Sequence, residues 1–322
     1  MDLFQIIDDI ARVDPEVYDR FDSRRATFRN FLGFGKKVSA AALPLAVSTL
    51  FNKAYGQAAA LDPLIVSTLN LALQLEYLEK YFYQTALASN ILNPEETAAF
   101  TIILNDENLH INTLRGVLGS QAINDPTRAA FDYTGSQNKS RPALFASLGG
   151  TTSPTTSNFT SKTEFLMAGK QFVDTGVRAY KGGAPNLMAN KDILEAALNI
   201  HSVEARHSAR IRSFIRGGVQ SVALPKSWIT PDETTGTPGL PNNGVAGTPA
   251  LVGPYLPGAD ATKYPAESNT SQGPPALGFN AQTSAAVTSP TAGAEAFDEP
   301  LDAATVKAIA KNFAANPAAL FN

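Results

Sequence analysis

The chain has 322 residues, a formal net charge of −3 and no cysteine, and 44% of its residues are hydrophobic. It is long enough to bury a large core in one domain or two smaller ones. The absence of cysteine excludes disulfides, iron–sulfur clusters, zinc–thiolate sites and thiol nucleophiles, and the weak negative charge gives no basic surface for nucleic acid, so no nucleic-acid partner is expected.

Residues 1–60 have the pattern of an export signal. Ser23-Arg24-Arg25 precedes Lys36-Lys37, an apolar run extends from Val38 to Phe51, and residues 54–58 are mostly small, as at a cleavage site. The run is shorter than the roughly 20 residues that a membrane-spanning helix needs. Twin arginines before such a run resemble a Tat signal, which predicts export to the periplasm or cell surface. The alternative is an uncleaved helix that packs on the domain or associates with a membrane surface.

Two long amphipathic helices are predicted next. The first extends from about Pro63 to Asn90. The second begins with Asn93 as its cap and Pro94 at its first position, because a side-chain acceptor followed by proline is typical of a helix start. It extends to about Leu118, where Gly119 is predicted to end it.

A second helix pair follows a long connection. Residues 119–162 are rich in Ser, Thr, Gly and Pro, and so long a link allows the helices on its two sides to run in the same direction. The third helix is predicted from about Thr163 to Tyr180 and the fourth from about Lys191 to Arg216. Residues 61–218 are therefore predicted to form an all-α four-helix bundle with one long crossover.

Residues 219–322 are predicted to form an extended arm that ends in a short helix. Between Pro225 and Pro300 the arm holds twelve of the chain's 21 prolines, which excludes a continued bundle. Four aromatic residues that are spaced through this segment are Trp228, Tyr255, Tyr264 and Phe279. Such spacing favours an arm ordered on a surface, either of its own bundle or of a neighbouring subunit, and self-association is expected. The terminal helix is predicted from about Asp302 to Phe313 and is expected to dock back on the bundle.

Two of the three histidines follow a glutamate by three residues on predicted helices: His110 follows Glu107, and His207 follows Glu204. Side chains three residues apart on a helix face the same way. Four-helix bundles bind a metal pair with one Glu-x-x-His motif from each of two helices and one carboxylate from each of the other two. The sequence therefore predicts a carboxylate-bridged metal site for iron or manganese.

The first helix offers Glu76 as its lone carboxylate, since Glu76 shares a face with the apolar residues of that helix and is preferred over Glu79. Tyr83 and Tyr180 lie on inner faces and are interpreted as core aromatics that can also hydrogen-bond to ligands.

The third helix lacks the expected carboxylate. The lone glutamate of the first helix lies 31 residues before Glu107, and the same spacing back from Glu204 falls on Val173, which cannot bind a metal. Asp174 is the nearest acid and a candidate replacement, although it is turned by about 100° around the helix. His201 lies one turn before Glu204 and is a candidate third nitrogen ligand, or a group that orients a carboxylate. The five remaining candidate ligands can hold one metal, two metals asymmetrically, or none. They are Glu76, Glu107, His110, Glu204 and His207.

Together these motifs resemble the ferritin-like family of desiccation-related proteins. The resemblance is strong over residues 60–216 and looser in the arm, and the segments that carry it are 71–79 (LALQLEYLE), 106–110 (DENLH), 175–180 (TGVRAY), 203–207 (VEARH) and 297–301 (FDEPL). It implies a ferritin-like bundle, export in many members, and a di-iron or di-manganese centre. The family usually has a carboxylate where this chain has Val173.

Two functional hypotheses follow. The first is an exported redox protein that oxidises Fe(II) or removes peroxide, with a protective role in drying or oxidative stress that rests on the resemblance. The second is a non-catalytic subunit of the cell envelope, which uses the bundle as a scaffold and the arm for contacts between chains; Val173 favours it. No nucleophile motif or phosphate-binding glycine loop is present, and the sequence defines no small-molecule substrate.

Overall fold

The computed structural model describes residues 61–149, 158–231, 253–271 and 291–322. The predicted export signal in residues 1–60 lies outside the described residues, as do parts of the long connection and of the arm. Within the described ranges the chain is helical and contains no β-strand. None of the described helices combines the length and the apolar composition that crossing a membrane requires.

Four long helices form the bundle: α1 (Pro63–Ala88), α2 (Pro94–Leu118), α3 (Lys162–Leu187) and α4 (Lys191–Ile215). Each begins after a residue whose side chain accepts a hydrogen bond from the first helical turn: Asp62, Asn93, Ser161 and Asn190. These caps satisfy backbone N–H groups that have no partner within the helix. Gly119 ends α2 with a φ of 55°, a conformation that disfavours other residues.

The third helix is longer than the sequence predicted. It continues beyond Tyr180 through two glycines and Pro185 to Leu187, so the predicted end was wrong. A Cβ on Gly182 would lie 1.9 Å from the carbonyl oxygen of Leu301, and glycine is therefore the residue that lets the arm approach the helix here. Tertiary packing of this kind overrides the low helix propensity of glycine and proline.

The contacts between helices fix their directions. Asn186 of α3 donates a hydrogen bond to Thr68 near the start of α1, over 3.1 Å. Phe82 near the end of α1 packs on Phe165 near the start of α3, with ring centroids 4.9 Å apart. α1 is therefore antiparallel to α3, and it is also antiparallel to α2, to which the short connection 89–93 joins it. α2 and α3 consequently run in the same direction, and the predicted all-α bundle with one long crossover is confirmed.

The connection between α2 and α3 covers the bundle. Its buried aromatic residues are Phe131, Tyr133, Phe145 and Phe159. The hydroxyl of Tyr133 donates a hydrogen bond to the carbonyl of Leu78 in α1, over 2.7 Å. Asp132 is also buried and accepts hydrogen bonds from the hydroxyls of Thr134 and Ser136. These contacts close the end of the bundle with an aromatic layer that excludes water.

The described part of the arm is anchored by Arg178 of α3. The side chains of Arg178 and Glu267 are fully buried and form an ion pair, with 2.8 Å between Nε and Oε1. The guanidinium also donates hydrogen bonds to arm carbonyls, those of Pro254, Leu256, Pro265, Glu299 and Pro300. A short helix, α5 (Ala292–Glu295), precedes α6 (Ala303–Ala310), which packs against α1 and α3. One α3 side chain therefore holds several segments that are distant in sequence.

Replacing Arg178 by methionine is expected to lower the free energy of unfolding by about 3–5 kcal/mol, because Glu267 and the buried arm carbonyls would lose the partner that satisfies them. Hydrogen exchange of residues 253–271 should accelerate in the same variant. The matched control is Arg210→Met, which removes an exposed pair with Glu95 and should change stability by less than about 1 kcal/mol. Equal losses in the two variants, measured by denaturant unfolding, would contradict the anchoring role of Arg178.

Candidate metal centre

Four glutamates and two histidines meet at the centre of the bundle. None of them is more than 6% exposed, and they are Glu76 and Glu79 of α1, Glu107 and His110 of α2, and Glu204 and His207 of α4. Residues spaced by three on one helix share a face. Each of these helices therefore directs its pair toward the same point, as the sequence predicted for the two Glu-x-x-His motifs.

The acidic groups surround His110 closely. Its Nδ1 atom lies 3.2 Å from Glu76 Oε2, 3.1 Å from Glu107 Oε2 and 3.1 Å from Glu204 Oε1. One ligand atom from each of these four residues lies within 4.8 Å of the others. We call this arrangement the first position.

A second arrangement lies around His207. Its Nδ1 atom lies 3.2 Å from Glu107 Oε1 and 3.6 Å from Glu204 Oε2. Glu107 and Glu204 therefore each direct one oxygen toward His110 and the other toward His207. Carboxylates that bridge a metal pair in a bundle core present their oxygens in this way. We call the group around His207 the second position.

Asp106 fixes the orientation of His207. The Nε2–H of His207 donates a hydrogen bond to Asp106 Oδ2 over 3.1 Å. This bond selects the tautomer whose Nδ1 atom is free to bind a metal, which is the usual role of a carboxylate behind a histidine ligand. Asp106 directly precedes Glu107 in the sequence, but its contact across to α4 has no sequence signal.

Several buried atoms of the cluster have no hydrogen-bond partner within the described part of the chain: Glu107 Oε1, both carboxylate oxygens of Glu204, and His207 Nδ1. Within the described ranges, the ion pairs of these glutamates are with imidazoles and not with lysine or arginine. Buried carboxylates without partners are costly unless a cation neutralises them. Since carboxylate and imidazole ligands suit iron and manganese, the residues present fit such a metal pair.

Without a metal, protons supply the missing positive charge. Burial raises the pKa of Glu76 to about 8 and also raises the pKa of Glu79. Burial by itself would lower the pKa of His110 and His207, but the neighbouring carboxylates outweigh it and raise both, that of His207 to about 12. Burial also opposes ionisation of Glu204, yet the two imidazoles lower its pKa to about 2. The metal-free cluster therefore holds protons that a metal must displace.

Two tyrosines hold the glutamates of α1. The hydroxyl of Tyr180 donates to Glu76 Oε1 over 2.5 Å, and that of Tyr83 donates to Glu79 Oε2 over 3.0 Å. The bond from Tyr180 leaves Glu76 Oε2 directed at His110 Nδ1, and the bond from Tyr83 leaves Glu79 Oε1 facing Gly176 of α3. Both tyrosines are buried core residues, and they also hydrogen-bond to candidate ligands, as their sequence positions suggested.

Asp174 does not join the cluster. Its carboxylate accepts hydrogen bonds of 2.6 Å from Arg212, Ser208 and Tyr255. Because the guanidinium of Arg212 already neutralises it, Asp174 is no replacement for the carboxylate missing at Val173, contrary to the sequence-based expectation. The position of Asp174 one residue beyond Val173 turns it to the side of α3 that faces the arm.

His201 also lies apart from the cluster. Its Nδ1 atom is 3.0 Å from the carbonyl oxygen of Val177 and donates a hydrogen bond to it. The ring is thus used by the backbone of α3, and the structure does not bring it to either metal position. Val173 is fully buried, but its side chain has no carboxylate. Since Asp174 is paired with Arg212, α3 contributes no carboxylate to the cluster.

The comparisons with known proteins agree with this architecture. A family model described as a ferritin-like domain matches residues 65–217, a span that contains all six residues of the cluster. No curated protein sequence and no solved structure matches the chain.

Binding of Mn(II) to the metal-free protein is expected to become tighter as pH rises, because His110 and His207 must lose protons before they bind a metal. Calorimetry at two pH values, in buffers with different ionisation enthalpies, measures both the affinity and the protons released. Glu95→Gln, which changes an exposed glutamate of α2 outside the cluster, should behave as the wild type does. An affinity that is independent of pH, with no proton release, would contradict this electrostatic description.

Proposed function

Residues 65–217 are a ferritin-like domain, and on that basis we propose that the protein binds iron or manganese in its buried cluster and oxidises Fe(II) or removes peroxide. The observation that supports the proposal best is the placement of Glu107 and Glu204. Each has one oxygen near each of two imidazoles, and three of their four oxygens have no hydrogen-bond partner among the described residues.

The residues of the chain have distinct parts in the proposed reaction. A pair of ferrous or manganous ions would, when bound, supply the two electrons that reduce hydrogen peroxide to water with two protons. Glu107 and Glu204 would each offer one oxygen to each position, while His110 and His207 would each bind at one position. Asp106 orients His207, and Tyr180 holds a proton at Glu76 Oε1.

The bundle also keeps the cluster away from bulk water. Tyr83 stacks on Phe100 with ring centroids 5.7 Å apart, and Phe165 contacts both of these rings. This aromatic layer lies next to the cluster, since Tyr83 donates to Glu79. A site from which bulk water is excluded has stronger electrostatic interactions. Such a site admits small oxidants and excludes larger ones.

We also propose that the protein is exported and has a protective role. Export to the periplasm or cell surface is supported by the twin arginines Arg24 and Arg25 and by the apolar run from Val38 to Phe51. A role in drying or oxidative stress is supported by the resemblance of the motifs to desiccation-related ferritin-like proteins. Removal of peroxide or of Fe(II) would suit either condition.

A second candidate is a non-catalytic envelope subunit that uses the bundle as a scaffold and self-associates through the arm. The observation that favours it is Val173, an apolar buried residue where the motif pattern has a carboxylate. A site that has lost a ligand is what a purely structural protein would tolerate. The two candidates differ in metal content, which makes them experimentally separable.

Protein purified from its native compartment is expected to contain near-stoichiometric iron or manganese by elemental analysis. The double variant Glu107→Ala, Glu204→Ala should contain neither and should oxidise Fe(II) no faster than the buffer does. Metal at a free concentration of about 100 times its Kd should raise the free energy of unfolding of the wild type by about 2.7 kcal/mol. Removing the metal with a chelator should abolish that gain.

The control for this experiment is Glu95→Ala, whose exposed carboxylate lies on α2 outside the cluster and should leave metal content unchanged. Wild-type protein that contains no metal, and whose thermal stability is the same before and after chelation, would support the scaffold and not the redox function.

A further inference from the structure

We infer that Glu79 is a ligand of the second metal position and replaces the carboxylate that α3 lacks at Val173. This inference rests on the proposed function, because it requires that the cluster binds metal. It gives the centre an unusual composition, with both terminal carboxylates from α1 and none from α3.

The two positions are unequal without Glu79. Four ligand atoms meet at the first position, from Glu76, Glu107, His110 and Glu204. The second position has three, namely Glu107 Oε1, Glu204 Oε2 and His207 Nδ1. One more carboxylate oxygen would make the two positions equivalent in ligand number and type, with one terminal carboxylate and one imidazole each.

Gly176 shows where that oxygen comes from. It lies on α3 one turn after Val173 and has no side chain to fill the centre of the bundle. The point where a Cβ on Gly176 would lie is 3.4 Å from Glu79 Oε1 and 3.9 Å from Glu204 Oε2. Glu204 Oε2 is the oxygen of that residue nearest to His207. Glu79 therefore approaches the cluster on the side of the second position, through space that the glycine leaves open.

The surroundings of Glu79 are those of a ligand and not of an ordinary buried acid. Its side chain is buried, and among the described residues Tyr83 is its hydrogen-bond partner, through Oε2. Oε1 is the oxygen that faces Gly176. A carboxylate held by a single neutral hydroxyl in the interior is costly. A cation at the second position would offset that cost, and the hydroxyl of Tyr83 would fix the orientation of the carboxylate.

The register between α1 and α3 allows α1 to supply the carboxylate that α3 lacks. Glu79 follows Glu76 by one turn of α1, so both carboxylates share a face. α1 is antiparallel to α3, and successive turns of α1 therefore meet successively earlier turns of α3: Tyr180 lies opposite Glu76, and Gly176 lies opposite Glu79. Glu79 of α1 therefore lies beside α3 one helical turn from Val173, the position at which α3 lacks a carboxylate.

The test compares full-length wild-type protein with Glu79→Gln, which keeps the shape of the side chain and an acceptor for Tyr83. Metal-free protein is loaded with Mn(II) without oxygen. Bound metal per chain is measured by elemental analysis, affinity by calorimetry, and magnetic coupling between neighbouring Mn(II) ions by electron paramagnetic resonance. The wild type should bind two coupled ions. Glu79→Gln should bind one uncoupled ion tightly and the second more weakly by over about tenfold, a loss that even residues orienting a ligand cause.

The matched control is Glu96→Gln, which changes another buried glutamate, one that caps α2 and pairs with Lys162. Glutamine also serves at this capping position, so the variant should bind two coupled ions. A second variant, Glu79→Ala, leaves space for a small carboxylate. Added acetate should restore the second ion and the coupling if Glu79 is a ligand, and should not do so if Glu79 only packs.

The outcomes separate this inference from the proposed function. Two coupled ions of equal affinity in both wild type and Glu79→Gln, or a failure of acetate to rescue Glu79→Ala, would overturn the role of Glu79. A single ion in the wild type would also overturn it and would leave a metal centre in place. A wild type that binds no metal would overturn the proposed function, and the inference with it.

Discussion

Burying a carboxylate in a protein core costs free energy unless a cation or hydrogen-bond donors offset its charge, and this chain does so in two ways. Two buried acids outside the cluster are paired with arginine, Asp174 with Arg212 and Glu267 with Arg178. The four glutamates of the central cluster have imidazole and tyrosine neighbours instead. Two divalent cations carry the same charge as four carboxylates with opposite sign, so a metal pair would neutralise the cluster while the imidazoles stay neutral.

α3 connects this centre to the periphery although it contributes no ligand. One of its faces supplies Gly176, which leaves space for Glu79, and Tyr180, which fixes Glu76. Another face supplies Arg178, which anchors the arm. The arm, the long connection and α6 thus enclose the same bundle whose interior holds the charged cluster. The six residues of that cluster are at most 6% exposed, and low solvent access strengthens each electrostatic interaction among them.

The sequence predicted those features that local chemistry determines. Asn93 and Gly119 mark the ends of α2 because capping and left-handed conformations are local, and the Glu-x-x-His spacing placed Glu107 and His110 on one face. It failed where distant residues decide. α3 continues past Gly182 because the arm packs there, and Asp174 is neutralised by a residue of α4. The sequence also gives no sign of the space beside Glu79, because that space, at Gly176, depends on the register of two helices that are far apart in sequence.

We propose that the carboxylates of the cluster bind two metal ions between His110 and His207. Anomalous X-ray diffraction at the manganese edge, from crystals of the Mn(II)-loaded full-length protein, tests it most directly. Two anomalous peaks are predicted, one beside His110 Nδ1 and one beside His207 Nδ1, with Glu107 and Glu204 between them. No peak in the bundle, or peaks confined to surface carboxylates, would contradict the account.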